Sequence, residues 1–220
     1  MNINHLAIIC DGNRTWARNQ GKPEFYGHTQ GAKNIKSVVK AAIDRNVKNL
    51  TLFLLSTENL LNRSQQELSH LFSLFSQLID YEELFHSHQI KFNTVGDTTK
   101  LPQNIQEALQ LLKEKTKEYK NLTLTFAVNY GGRDEIIRAA QKFKDDKTGK
   151  SFDEFLDSYN LPDIDILIRT GGFQRISNFL LWKLAYAELF FTEKRWPEFS
   201  ESDLDLVIDK YQNIHRKFGK

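Results

Sequence analysis

Two arginines flank a pair of glycines in the segment "RTGGFQRIS", which runs from Arg169 to Ser177. Guanidinium forks bind phosphate oxygens in pairs, and a hydroxyl beside a helix start adds further donors. The segment therefore suits a diphosphate, although two surface ion pairs would account for the arginines equally well. Phe173, an aromatic residue between two cations, has no obvious place in either reading.

Three other polar clusters have a comparable setting. "CDGNRTWARNQG" opens at Cys10 directly after an apolar run, and its Asp11 suits a hard cation such as Mg²⁺. Gly12 and Asn13 supply a flexible turn into a helix, whose backbone N–H groups would face a phosphate. An Asx turn or a simple helix cap would use the same residues. "STENLLNRSQQE" offers Ser56 and Asn59, then Arg63 and Glu67 one helical turn apart, a spacing that also fits a cap and an i,i+4 ion pair. His28, in "YGHTQG", suits an acid, a base or a phosphate donor, or simply a histidine at a helix start.

The elements that must position these residues are legible as an alternation. Apolar runs at 5–9, 49–55, 90–95, 122–128, 165–168 and 187–191 are continuous enough to be strands covered on both faces. Between them, helical spacing joins Ala32, Ile35, Val38, Val39 and Ala42, then Leu68, Leu71, Phe72, Phe75, Leu78 and Ile79, then Ile105, Ala108, Leu109 and Leu112. Further helices are expected after Arg133, over "SNFLLWKLAYA", and over the C-terminal "DLDLVIDKYQNIHRKF". The pattern predicts an α/β fold, a single domain over residues 1–220, with a mostly parallel sheet of about six strands and helices on both faces. Ligands of such sheets gather beyond the carboxyl ends of the strands, where "CDGNRTWARNQG", "STENLLNRSQQE", "NYGGRDE" and "RTGGFQRISN" follow the first, second, fourth and fifth predicted strands.

Bulk properties narrow the classes. The chain has 220 residues, 40% of them hydrophobic and 26% charged, within the range of globular proteins. A net charge of +2 gives no argument for nucleic acid. Cys10 is the single cysteine, so an intrachain disulfide or a cysteine-based metal centre is excluded. The expected compartment is the cytoplasm, with peripheral membrane contact at most, because no apolar run approaches a membrane span.

In order, "HLAIICDGNRTWA", "GHTQGAK", "LTLFLLSTEN", "VGDTTKLP", "NYGGRDEI", "DILIRTGGFQRISNFLLWKLAYAELFFTEKRWPEF" and "HRKFG" resemble the cis-prenyltransferases, the undecaprenyl diphosphate synthase family. The resemblance covers essentially the whole chain. It implies a homodimeric, Mg²⁺-dependent enzyme with isoprenoid diphosphate substrates, joining an allylic diphosphate to isopentenyl diphosphate beside a hydrophobic tunnel. On that pattern Asp11 is the essential metal-binding aspartate, and Arg169, Arg175 and Ser177 hold isopentenyl diphosphate. Glu188 adds a carboxylate to the metal site across the dimer. Asn13, Trp16, His28, Ser56, Asn59, Arg63 and Glu67 match other active-site positions, and the proton acceptor is either a diphosphate oxygen or a relay through His28, Ser56 and Asn59.

Departures from the family pattern cluster on the allylic side. Thr15 and Glu24 stand where the family commonly has arginines, with Arg14 and Arg18 nearby as partial replacements. Leu60 replaces an aromatic residue, Phe173 replaces a glutamate, and Lys217 replaces an arginine. Leu54, bulky at a tunnel-facing strand position, points to a short or medium product. Competing expectations are irregular coupling of allylic diphosphates, head-to-middle or cyclising, and a non-catalytic partner subunit of an active synthase.

Overall fold

The computed structural model describes residues 3–77 and 81–214. The expectations at Leu78, Ile79, Lys217 and the "HRKFG" segment lie outside the described residues.

Six strands form one sheet in the order β3-β4-β2-β1-β5-β6, with all five pairings parallel. They are β1 (His5–Ile9), β2 (Asn49–Ser56), β3 (Ile90–Val95), β4 (Leu122–Tyr130), β5 (Ile166–Arg169) and β6 (Glu188–Phe191). Every residue of β1 and β5 is buried, which is why these strands read as unbroken apolar runs rather than alternating ones. The edge strand β6 is half-exposed throughout, and Leu189 and Phe191 reach solvent.

On one face, the larger core cluster packs Leu6, Ile8, Leu50 and Leu52 against Val38 and Val39 of α2 (Glu24–Asp44), Leu71 and Phe75 of α4 (Gln65–Ser76), and Leu204 and Ile208 of α8 (Glu201–Gln212). The short helices α1 (Asn13–Asn19), α3 (Thr57–Asn62) and α5 (Glu82–Ser87) lie between these elements in the chain, and α6 (Gln103–Thr116) adds Ile105, Leu109 and Leu112 to the same cluster. On the opposite face, Ala7, Ile9, Phe53 and Leu167 meet Leu161, Ile164, Phe179 and Leu180. The helix α7 (Gly132–Asp145) packs beside this segment through the 3₁₀ turn Phe152–Phe155.

One expected helix is absent. Residues 177–187 form successive turns rather than a helix. Ser177, Asn178 and Leu180 have positive φ of 47°, 62° and 38°, a backbone region closed to helical continuation. Phe179 and Leu180 are nonetheless fully buried, so tertiary burial imitates helical spacing here. The Ser177 hydroxyl therefore does not stand at a helix N-terminus.

Candidate active site

The carboxyl ends of β1 and β5 are adjacent, with Ile9 paired to Arg169. The chain leaves both strands through glycines in the left-handed region, Gly12 at φ 96° and Gly171 at φ 88°. A Cβ on Gly171 would come within 3.1 Å of the Asp11 backbone, so only glycine lets the two loops approach this closely. Thr170, fully buried, ties them together: its hydroxyl accepts from the Asp11 N–H at 2.9 Å and can donate to the Asp11 carbonyl at 2.8 Å. That carbonyl also accepts from the Trp196 N–H.

This frame brings Asp11, Arg169, Arg175 and Ser177 together. Arg169 Nη2 donates to Asp11 Oδ2 at 2.7 Å, and Nη1 donates to Ser177 Oγ and to the Arg175 carbonyl, both at 2.5 Å. Arg169 is 4% exposed, and its Nε has no partner. The Gly12 N–H donates to Asp11 Oδ1. It is thus committed to that carboxylate rather than turned toward a phosphate. Arg175 is exposed and stands over the Phe173 ring, with Cζ 4.1 Å from its centroid.

A second group lies across the cleft. His28 Nε2 is 3.0 Å from Glu67 Oε1, and Arg63 Nε is 3.4 Å from the same oxygen. Burial lowers the His28 pKa to about 4, with the nearby Arg63 charge adding to the effect. Burial also pulls Arg63 downward. Arg63 Nη1 is buried without a partner. A neutral His28 that donates from Nε2 to Glu67 leaves Nδ1 as an unprotonated acceptor.

The remaining sequence candidates divide. Ser56 Oγ accepts from the Asn59 N–H and caps α3. Both residues line the cleft, but among the described residues no hydrogen bond joins them to His28, so a relay through all three is not assembled here. Asn13 holds the Cys10 carbonyl, with its own Oδ1 buried and unpartnered. Trp16 stacks on Tyr26 at a centroid distance of 6.0 Å and is not part of the cleft lining. Arg14 and Arg18 both face Glu24, at 3.5 and 3.4 Å. Glu24 thus draws on the two cations that would replace the missing arginines.

Glu188 stands apart. It pairs with Ile166, three residues before Arg169, on the far side of β5 from β1. From strand geometry it sits about 10 Å back along the sheet and about 10 Å across from the Asp11 end of β1. Within one chain the two carboxylates do not share a site, and among the described residues no cluster of three metal-ligating side chains occurs.

The cleft measures about 700 Å³ and is lined by five arginines (Arg14, Arg18, Arg63, Arg169 and Arg175) against two carboxylates, Asp11 and Glu58. Glu24 and Glu67, outside that lining, pair with Arg14, Arg18 and Arg63, so the excess of positive charge is small, and what remains favours anions. Behind it lies an apolar cavity of about 90 Å³, with Ile35, Val39, Leu71, Phe75 and Phe126 in its wall. Cys10, Asn13, His28 and Leu54 line both spaces. Burial, reinforced by Asp11, holds the Cys10 thiol well above its usual range, which makes it a wall rather than a nucleophile.

Sequence reasoning missed Thr170 and Asn178. Asn178 Oδ1 accepts from the Arg133 N–H, and its Nδ2 donates to Glu58. The available signal was a polar residue immediately after Arg169 and after Ser177.

Known proteins resemble the chain along its whole length. The family profile described as putative undecaprenyl diphosphate synthase matches residues 9–219. An isoprenyl transferase of Chlamydia trachomatis is 42% identical, over 98% of this chain and 91% of its own. A (2E,6E)-farnesyl-diphosphate-specific ditrans,polycis-undecaprenyl-diphosphate synthase of Haemophilus influenzae is 39% identical over 98% of this chain and 94% of its own. The crystal structure of lavandulyl diphosphate synthase from Lavandula x intermedia, in complex with dimethylallyl diphosphate, superposes with a TM-score of 0.94 at 35% identity, covering 100% of this chain and 99% of that one. A family profile over residues 9–219 and relatives about 40% identical along the full length show that the chain belongs to the undecaprenyl diphosphate synthase family of cis-prenyltransferases.

Proposed function

We propose that this protein condenses an allylic prenyl diphosphate with isopentenyl diphosphate, forming a cis-prenyl diphosphate of short or medium length. The carrying observation is the position of Leu54 and His28, which line both the arginine-rich cleft and the apolar cavity. A diphosphate head in the cleft would place its hydrocarbon tail toward that cavity. The cavity is small, and Leu54 takes up space a longer tail would need.

Arg169, Arg175 and Ser177 hold isopentenyl diphosphate in this reading, while Arg63 and, more weakly, Arg14 and Arg18 face the allylic diphosphate. The donor set fits Mg²⁺: one half-exposed carboxylate, Asp11 at 34% side-chain exposure, opens onto a site whose other anionic oxygens would be phosphates. When bound, Mg²⁺ offsets the charge that develops on the departing diphosphate. The arginines contribute to the same end without reorganising. The apolar wall keeps water from the allylic carbon. After the carbon–carbon bond forms, His28 Nδ1 accepts the proton lost from C2 of the isopentenyl unit, whose C–H electrons become the new double bond, and Glu67 stabilises the imidazolium that results.

A second reading, coupling of two allylic diphosphates, is favoured by the likeness to lavandulyl diphosphate synthase and by the engagement of Arg14 and Arg18 with Glu24. Labelled isopentenyl diphosphate, supplied with Mg²⁺ and an allylic starter, separates the two. Label recovered in an extractable prenyl diphosphate supports regular condensation. Consumption of dimethylallyl diphosphate alone, with no label incorporated, contradicts it.

A further inference from the structure

Phe173 is 47% exposed in a loop where an apolar side chain has nothing to gain from burial. Its ring lies beneath the Arg175 guanidinium, with Cζ 4.1 Å from the centroid, and within 5.7 Å of Arg169 Cζ. Arg169 already pairs with Asp11. Among the described residues no carboxylate lies within ion-pair distance of Arg175, and its side chain instead meets the ring.

The difference between a ring and a carboxylate in this place is geometric. A carboxylate would pair with the edge of the guanidinium and occupy N–H donors. A ring attracts the cation through its face and occupies none. All five donors of Arg175 then remain in the guanidinium plane, available to phosphate oxygens. A ring contact of this kind biases the exposed arginine toward one orientation before any ligand arrives, which reduces the ordering cost of binding.

We propose that Phe173 is a positioning residue that holds Arg175 face-on by a cation–π contact, leaving the whole guanidinium edge free for a diphosphate. The identification of that ligand as isopentenyl diphosphate rests on the proposed function; the contact and its effect on diphosphate binding do not.

The test uses the full chain with Phe173→Leu, Phe173→Tyr and Phe173→Glu, each on an exposed loop. Calorimetric titration with inorganic diphosphate reads binding, and steady-state assays read KM for isopentenyl diphosphate and kcat separately. Phe173→Leu should weaken diphosphate binding about fivefold, and should raise KM for isopentenyl diphosphate in step while kcat stays within about twofold. Phe173→Tyr should restore both, and Phe173→Glu should bind more weakly than Phe173→Leu. Unchanged affinity in Phe173→Leu, failure of the tyrosine to restore it, or wild-type affinity in Phe173→Glu would each overturn the proposal. Because inorganic diphosphate is the probe, the titration stands even if no isopentenyl diphosphate is incorporated, an outcome that would count only against the proposed reaction.

Discussion

Arg169 bridges Asp11 and Ser177: Nη2 reaches the carboxylate at 2.7 Å while Nη1 reaches the hydroxyl at 2.5 Å. One planar group thereby fixes the proposed metal ligand relative to the proposed diphosphate donors. Lysine keeps the charge but offers a point donor that cannot span both partners. Arg169→Lys is expected to lower kcat/KM by roughly 100-fold, about 3 kcal/mol of transition-state stabilisation. Steady-state kinetics would show it. A change of less than about threefold would remove the bridge from the account.

Two buried histidines are expected to contribute to the acid sensitivity of the fold. Burial lowers the pKa of His28 to about 4 and that of His5 to about 4. His5 is satisfied as the neutral ring, with Nδ1 donating to the Pro162 carbonyl and Nε2 accepting from the Thr51 hydroxyl, both at 2.8 Å. Both folded values lie below the unfolded one, so the unfolded chain binds more protons in between. Stability is complete above about pH 6.5 and falls as pH drops toward 4, by up to about 1.4 kcal/mol per pH unit for each histidine. Urea midpoints at pH 7.5 and pH 5 should differ accordingly, and His28→Gln should shrink the difference.

Leu54 lies where the cleft and the apolar cavity share a wall. Leu54→Ala is expected to lengthen the product by at least one isoprene unit, and Leu54→Phe to shorten it. Mass spectrometry of the extracted products reads both. An unchanged length distribution in Leu54→Ala would place the length limit elsewhere in the cavity wall.

Glu188 serves the site only if a second subunit supplies it, since it sits at the opposite end of the sheet from Asp11. Mixed dimers of Asp11→Asn and Glu188→Gln chains resolve this. A carboxylate donated across the dimer leaves one intact site per mixed dimer, so activity should reappear on mixing two weak variants. A carboxylate acting within its own chain leaves both sites broken and restores nothing.

Much of this was legible because the strands are covered on both faces. The six apolar runs announced themselves by composition, and their boundaries differ from the observed strands by at most two residues. Asp11, Arg169, Arg175 and Ser177 stood out as candidates, although ion pairs, an Asx turn or a helix cap would use the same residues; what the fold adds is that it brings the four together. The turns at 177–187 were not legible. Phe179, Leu180 and Leu184 are spaced as on a helix, and only the positive φ at Ser177, Asn178 and Leu180 reveals that they bury against the sheet by another route. The pairing of Glu24 with Arg14 and Arg18, and of Phe173 with Arg175, depends on side-chain directions that spacing does not encode. Phe173 could be recognised as unusual from sequence, but its partner could not be identified.

The central claim is regular condensation to a short or medium cis-prenyl diphosphate, and product analysis tests it most directly. The purified protein would be incubated with isopentenyl diphosphate and, separately, dimethylallyl, geranyl or farnesyl diphosphate, with Mg²⁺ or with chelator. Products would be sized by mass spectrometry and their new double bonds assigned by NMR. The account predicts Mg²⁺-dependent addition of few isoprene units, each new bond cis. A long polyprenyl product, a trans bond, or a branched product formed from dimethylallyl diphosphate alone would contradict it.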